Sequence, residues 1–249
     1  MIESILVVSF FCIALIYSSV GFGGGSSYLA LLGQSIFALS QSEIKSTALL
    51  CNIIVVTGGT IIFYRQGKIS LKEIWPYFTA SIPLAYLGGY WKMHDHTFFL
   101  ILGIILIITS ILLWIQPEKF NREKIKVPEI TLNKLLIAGP IGFLSGLVSI
   151  GGGIFLSPVL HILRWLTPQK ISALASVFIL VNSISGLFGQ FQSGIPHMKW
   201  SLILPLLLAV FAGGQIGSRL GAKKFNPIYI KRITAAVIFV AAINILARN

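Results

Sequence analysis

The chain has 249 residues, of which 55% are hydrophobic and only 10% are charged, whereas soluble domains carry about 25% charged residues. Its net charge is +12, but the basic residues lie in polar stretches between apolar segments, where they orient a membrane protein. The composition therefore excludes a soluble globular domain and argues against a nucleic-acid partner. It predicts an all-α polytopic membrane protein embedded in a lipid bilayer.

The apolar segments form two sets along the chain. The first set is Ile2–Val20, Ser26–Phe37, Ile44–Tyr64, Ile74–Trp91 and Phe98–Ile115. The second set is Leu135–Ile150, Ile154–Leu166, Ile171–Phe191, Trp200–Leu220 and Ile228–Ala247. We predict a first transmembrane repeat over 1–115, a cytoplasmic linker over 116–133 and a second transmembrane repeat over 134–249. The first segment lacks the basic residue that precedes the core of a signal peptide, so we expect it to be retained.

The first two segments of each set are separated by the same glycine motif. Gly21–Ser27 reads GFGGGSS, and Ser149–Phe155 reads SIGGGIF. Adjacent glycines disfavour a helix by about 1 kcal/mol each relative to alanine, so each run is expected to interrupt a helix inside the membrane. Interrupted helices at matching positions of two halves are the sequence pattern of a transporter substrate site.

The positions of lysine and arginine distinguish two topologies. If the chain crossed the membrane eight times, with one crossing for the two segments around each glycine run, the 19 basic residues would divide ten to nine between the two sides. If the two segments around each glycine run instead form a re-entrant hairpin, only Lys45, Lys92, Lys199 and Arg248 lie on the N-terminal side. The positive-inside rule requires such asymmetry. We therefore predict four-segment halves, each with one hairpin and three crossings, in an inverted repeat with both termini outside the cytoplasm.

The helices that start after the glycine runs are expected to form an anion site. Their first N–H groups and the positive ends of their dipoles point into the interruption. The predicted site residues are Gly23, Gly24, Gly25, Ser26, Ser27, Ser149, Gly151, Gly152, Gly153 and Ile154. The alternative is that the glycines only let helices pack closely. That use prefers GxxxG spacing, which leaves the helix intact.

Polar side chains inside the predicted spans are few. Asn52 and Asn182 are added to the predicted site, because a shift of 127 residues places Asn182 on Val55, which shares a helix face with Asn52. Each amide could bind the substrate or form an interhelical hydrogen bond, and the sequence leaves both open. Gln190 lies near the end of its segment and is interpreted as interfacial.

Small residues recur every fourth position in the fourth segment of each half. They are Ser81, Ala85 and Gly89 in the first half, and Ala209, Gly213 and Gly217 in the second. This spacing lines one helix face with small side chains and lets a neighbouring helix approach. We interpret these residues as a packing surface and not as a ligand site.

The sequence lacks the residue patterns of proton carriers, metal sites and enzymes. All seven acidic residues lie in or beside predicted loops, so no intramembrane carboxylate is available to carry a proton. His161 is the one titratable group at a plausible depth, and we favour a structural or interfacial role for it. The sequence has no Cys/His cluster at metal-ligand spacing and no catalytic motif. It therefore predicts no metal, no cofactor and no enzyme activity.

Several motifs together resemble a known family. They are GFGGG at Gly21–Gly25, GGGIFLSP at Gly151–Pro158, and the glycines that close the second span of each half, Gly67 in YRQGKI and Gly194 in FQSGIP. Over essentially the whole chain they resemble the TauE/SafE sulfite exporter family, also called the toluene-sulfonate uptake permease family. The resemblance implies transport of a small anion such as sulfite, sulfoacetate or another sulfonate across a cytoplasmic membrane.

The resemblance leaves other functions open. The same scaffold could form an anion channel, or it could carry thiosulfate or another small organic anion. A membrane-embedded enzyme is disfavoured by the missing catalytic set, and a homo-oligomer is compatible with the sequence. Ile154 occupies the position that Ser26 has in the first half. The two half-sites are therefore expected to differ in chemistry.

Overall fold

The computed structural model describes residues 2–34, 37, 39–68, 71–115, 131–163, 165–194, 198–221 and parts of 232–247. Most of the predicted linker, and much of the last predicted segment, lie outside the described residues. The described part is helical and contains no strand, which confirms the all-α prediction. Its helices are α1 (Ile2–Ser19), α2 (Gly25–Leu32), α3 (Gln41–Arg65), α4 (Leu71–Tyr90), α5 (Asp95–Ile115), α6 (Thr131–Val148), α7 (Gly153–Leu163), α8 (Pro168–Ser193) and α9 (Trp200–Gly221).

Local sequence signals explain where the long helices begin and end. At the start of α3, Ser40 and Glu43 form a capping box, in which each side chain accepts from the other residue's backbone N–H. Thr167 caps α8, and Pro168 occupies its first position. Gly67, with φ +65°, ends α3 in the left-handed conformation that glycine adopts easily. The helices after the glycine runs are shorter than predicted, since α2 ends at Leu32 and α7 at Leu163.

The described helices suit a membrane. By length and composition, α3, α8 and α9 can each cross a bilayer, and α1, α5, α6 and α7 contain shorter apolar helical stretches. Four tryptophans near helix ends are exposed, as in the aromatic belts at membrane interfaces. They are Trp75, Trp91, Trp114 and Trp200. The chain is thus built as a multi-pass membrane protein.

Helices α3 and α8, which occupy equivalent places in the two halves, run antiparallel to each other. Near the start of α3, Ser46 Oγ donates to Gln190 Oε1 over 2.8 Å, close to the end of α8. Near the end of α3, the hydroxyls of Thr60 and Ser176 lie 3.1 Å apart, close to the start of α8. These two contacts define a central antiparallel pair.

The first helix of each half packs in parallel on the fourth helix of the other half. On α4 and α6, Gly142 lies against Ser81, and Gly146 lies against Ala85. The same arrangement on α1 and α9 brings Gly213 and Gly217 against the α1 backbone. A β-carbon on any of these glycines would collide with its neighbour, so the small residues permit this close approach. The contacts agree with the packing interpretation of the four-residue spacing.

Candidate functional site

The first glycine run begins where α1 ends in a Schellman motif. The N–H of Phe22 donates to the carbonyl of Tyr17 over 2.9 Å, and Gly21 between them has φ +87°. The chain then folds back, because the ring of Tyr28 on α2 stacks on the ring of Phe10 on α1 with centroids 4.6 Å apart. Helix α2 therefore lies beside α1 and does not extend it.

The second glycine run begins with the same motif but with a different residue at its turn. The N–H of Ile150 donates to the carbonyl of Ser145 over 3.2 Å. Ser149 takes the place of Gly21, with φ +63°. A left-handed conformation costs a residue with a β-carbon about 1–2 kcal/mol. Its side chain must therefore be held by surrounding contacts.

Gln190 supplies one of these contacts. Its Nε2 donates to Ser149 Oγ over 2.7 Å, and its Oε1 accepts from Ser46 over 2.8 Å. Gln190 is only 3% exposed, so the interfacial interpretation is wrong. Because both atoms of its amide are used, Gln190 links α3 of the first half to the glycine run of the second.

Helix α2 begins with unsatisfied backbone donors. Gly24 is its N-cap, with φ +90° and no side-chain cap. The first bonds to the Gly24 carbonyl come from the N–H groups of Ser27 and Tyr28, at 3.0 Å each. The N–H groups of Gly25 and Ser26 precede these bonds, and as expected for a helix start they have no intrahelical acceptor.

Helix α7 begins in the same way. Gly152 has φ +80°, and its carbonyl accepts from the N–H groups of Phe155 and Leu156 at 3.0 Å each. The N–H groups of Gly153 and Ile154 are left without an intrahelical acceptor. Each glycine run thus presents free backbone donors at the positive end of a helix.

Asn52 joins the two glycine runs. Its Nδ2 donates to the carbonyl of Ile150 over 3.1 Å. Gly23 and Gly25 pack directly against its amide, and a β-carbon on Gly151 would lie 3.2 Å from Nδ2. Asn52 is fully buried, and its Oδ1 has no partner. Asn52 therefore forms a hydrogen bond between distant segments, which was one of its two predicted roles. It also lies at the predicted site, so substrate binding, the other role, stays a prediction.

The structural counterpart of Asn52 is Ile179. Gly151 and Gly153 pack against the Ile179 side chain, as the matching glycines of the first half pack against Asn52. Asn182 lies three residues after Ile179, on the same face of α8, so its place in the site stays a prediction. The polar amide of one half faces a hydrocarbon side chain in the other, so the half-sites differ at a second position besides Ile154.

Several polar side-chain atoms around the glycine runs are buried without a hydrogen-bond partner in the described structure. They belong to Ser26, Tyr28, Asn52, Ser145 and Ser183. Both amide atoms of Asn182 on α8 are likewise buried without a partner. Leaving such a group unsatisfied costs about 1–3 kcal/mol, so proteins normally satisfy these groups with water or a ligand. A region with this many unpaired polar atoms is suited to binding a polar ligand.

Two predicted donors are already engaged, and two others were missed. Ser27 Oγ lies 2.7 Å from the hydroxyl of Tyr17, and Ser149 bonds to the glutamine described above. In contrast, Ser145 lies beside Gly152, and Ser183 lies beside Gly151. Ser183 is four residues after Ile179, so the helical period could have placed it on the face that meets the glycine run.

The groups that line the site are hydrogen-bond donors and acceptors. Across the described ranges, no group of three or more His, Cys, Asp or Glu side chains could hold a metal ion. Its functional groups are backbone N–H groups, hydroxyls and an amide. Such neutral donors, gathered at helix N-termini, bind anions.

Comparison with known proteins gives two concordant findings. The family model described as sulfite exporter TauE/SafE matches residues 6–245. The chain is 33% identical to "Probable membrane transporter protein y4hK" of Sinorhizobium fredii over 97% of both chains. It is also 25% identical to "Probable membrane transporter protein YunE" of Bacillus subtilis over 88% of both. No solved structure matches.

Proposed function

The chain belongs to the TauE/SafE sulfite exporter family of membrane transporters, and we propose that it carries a small sulfur oxyanion or organosulfonate across the cell membrane. The observation that carries this proposal is the meeting of two helix N-termini at Asn52. That residue contacts the glycine run before α2 and bonds to the carbonyl of Ile150 in the other run. The free N–H groups and Ser26 complete the site.

The chemistry of these groups suits an oxyanion. Each helix start carries about half a positive charge, and each N–H or hydroxyl can bond to one oxygen of a sulfite or sulfonate group. No lysine or arginine lies on either glycine run. Neutral donors and helix dipoles bind an anion without a full opposing charge. The anion can therefore also dissociate, which a transporter requires.

The helix directions support an inverted repeat with alternating access. The equivalent helices α3 and α8 are antiparallel, and the first helix of each half lies parallel to the fourth of the other. Tyr28 of α2 stacks on Phe10 of α1, so α2 turns back along α1. The 8 residues of α2 and the 11 residues of α7 are each too few to cross a bilayer core. This supports a re-entrant hairpin in each half and two halves that move relative to each other around one site.

The orientation in the membrane gives a first prediction. Single cysteines at Lys124 and Lys224 should react only with reagents that reach the cytoplasm, and one at Arg248 only with external reagents. All three positions lie outside the described residues, and the expectation rests on the charge asymmetry. The measurement is maleimide labelling in whole cells, with Cys12→Ser and Cys51→Ala removing the native thiols. Labelling of Lys124 and Lys224 from opposite sides would instead indicate the topology with eight crossings.

The absence of an intramembrane carboxylate gives a second prediction. Replacing any single acidic residue by its amide should leave substantial transport, since a substrate such as sulfite carries its own proton as bisulfite. The measurement is the pH profile of uptake for each variant. His161→Gln is the critical comparison, because histidine titrates near neutral pH. Loss of pH dependence in that variant alone would show that the protein, and not the substrate, carries the proton.

Transport itself is tested in proteoliposomes. Purified protein should take up labelled sulfite or sulfoacetate with saturation, and internal unlabelled substrate should accelerate uptake by counterflow. Sulfate, thiosulfate and taurine complete the panel, each with and without a pH gradient. Flux that rises in proportion to the gradient without counterflow would indicate an anion channel. Flux of none of these anions would overturn the proposal.

A further inference from the structure

Helix α3 buries a cation near its N-terminal end. The sequence places Lys45 among the basic residues between spans, but the structure places it inside α3 with 5% of its surface exposed. Its Nζ lies 5.5 Å from the centroid of the Phe98 ring on α5. A buried ammonium is costly unless an anion or several acceptors compensate it.

No protein anion compensates Lys45 within the part of the chain that the structure describes. Glu43 is the nearest carboxylate in sequence, but its Oε2 accepts from the backbone N–H and the hydroxyl of Ser40, at 2.8 Å each. The ring of Phe98 attracts the cation through its π face. It does not neutralise the charge, so Lys45 can still bind an anion.

A second donor lies beside Lys45. Gln41 is one turn earlier on the same face of α3, and its Nε2 is buried without a hydrogen-bond partner. An ammonium and an amide NH₂ group are both donors. Two neighbouring donors that lack acceptors are suited to a ligand that offers several acceptor oxygens.

We propose that Lys45 and Gln41 form a second anion subsite, which a substrate oxyanion occupies on its way to or from the glycine runs. The inference rests on the proposed function, since it assumes that the protein transports an oxyanion. It assigns to Lys45 the one step of that transport in which the anion meets a charged side chain. Asn52 is seven residues further along the same helix face, about 10 Å away at 1.5 Å per residue. The subsite supplies the full positive charge that the glycine runs lack.

The next residue on α3 connects a neighbouring face of the helix to the second glycine run. Ser46, the residue after Lys45, bonds to Gln190, which in turn holds Ser149. An oxyanion at Lys45 would lie about two helical turns from Asn52 along α3. This position suits a capture step before the anion enters the neutral site.

The test compares charge removal with charge retention. Lys45→Gln should raise the KM for labelled sulfite about tenfold or more, as expected for losing a charged hydrogen bond, with kcat nearly unchanged. Lys45→Arg should retain most of the affinity. Lys92→Gln is the matched control, because Lys92 is an exposed basic residue at the end of α4. It should leave KM within about twofold, since one exposed charge contributes little.

A binding measurement separates this inference from the transport proposal. Sulfite should raise the melting temperature of the purified wild-type protein in detergent, and Lys45→Gln should remove that shift, whether or not the protein transports sulfite. If Lys45→Gln does not fold, Gln41→Leu keeps the cation and should still weaken the shift. Wild-type KM and wild-type thermal shift in Lys45→Gln would overturn the subsite. An equal loss in Lys92→Gln would also overturn it, because the effect would then be general surface attraction.

Discussion

Gly25→Ala is expected to lower transport strongly, by up to about a hundredfold, while the protein still inserts into the membrane. Gly25 has no positive φ, so its backbone accepts a side chain. The new β-carbon, however, would collide with Asn52 Nδ2 and lie 2.9 Å from the carbonyl oxygen of Ile150. Overpacking of this kind costs about 1–3 kcal/mol. The same cost on substrate binding corresponds to about a fivefold to hundredfold loss of affinity. The methyl group would also occupy the space beside the free N–H groups.

Uptake of labelled sulfite into proteoliposomes measures this effect, with membrane yield and gel-filtration profile as checks on folding. Gly139→Ala is the matched control, since its β-carbon would meet only the flexible end of Leu84, at 3.0 Å, and Ala80, at 3.6 Å. It should transport at close to the wild-type rate. Equal loss in both variants would assign the effect to general helix packing.

Leucine in place of the N-cap glycines of α2 and α7 should also impair transport, through larger steric clashes and backbone strain. Gly24 and Gly152 both have positive φ, and a β-carbon would lie 2.9 Å from Ile13 at the first and 2.9 Å from Phe178 at the second. Gly24→Leu or Gly152→Leu should therefore remove transport in protein that still inserts. Wild-type transport by both variants would reduce the glycines to packing residues.

Asn52→Asp is expected to reduce transport at least about a hundredfold. The substitution keeps the shape of the side chain, but a carboxylate cannot donate to the carbonyl of Ile150 as Nδ2 does. It also places a negative charge at the start of α2, where the substrate anion must bind. Loss of the bond and the added repulsion together exceed the 1–3 kcal/mol of an unsatisfied buried group. Steady-state uptake and sulfite-induced thermal shift should both fall.

Thr57→Val is the matched control for Asn52→Asp. Thr57 lies on the same helix, and its hydroxyl donates only to the carbonyl of Ile53 in that helix, over 2.6 Å. Removing this hydroxyl should leave uptake within about twofold, since such bonds within a helix contribute little net stability. Wild-type uptake by Asn52→Asp would show that the site lies elsewhere.

Local patterns in the sequence determine much of this protein. Three adjacent glycines cannot continue a helix, so the two interruptions follow from composition and spacing alone. The capping signals at Ser40 and Thr167 set the starts of α3 and α8. The repeated motifs also indicate the family, which comparison with known proteins confirmed. In each case the signal and its consequence lie within a few residues of each other.

Only the tertiary structure decided which side chains meet. The period of a helix tells which residues share a face, but not which residue of another helix that face contacts. Asn52 meets Ile150 from 98 residues away. Gln190 is buried because α8 packs antiparallel on α3, and the glycines of the second run meet the hydrocarbon side chain of Ile179. Lys45 is buried because α5 packs on α3 and brings the Phe98 ring against it. The packing of distant segments sets burial, and burial sets which polar groups are left for a substrate.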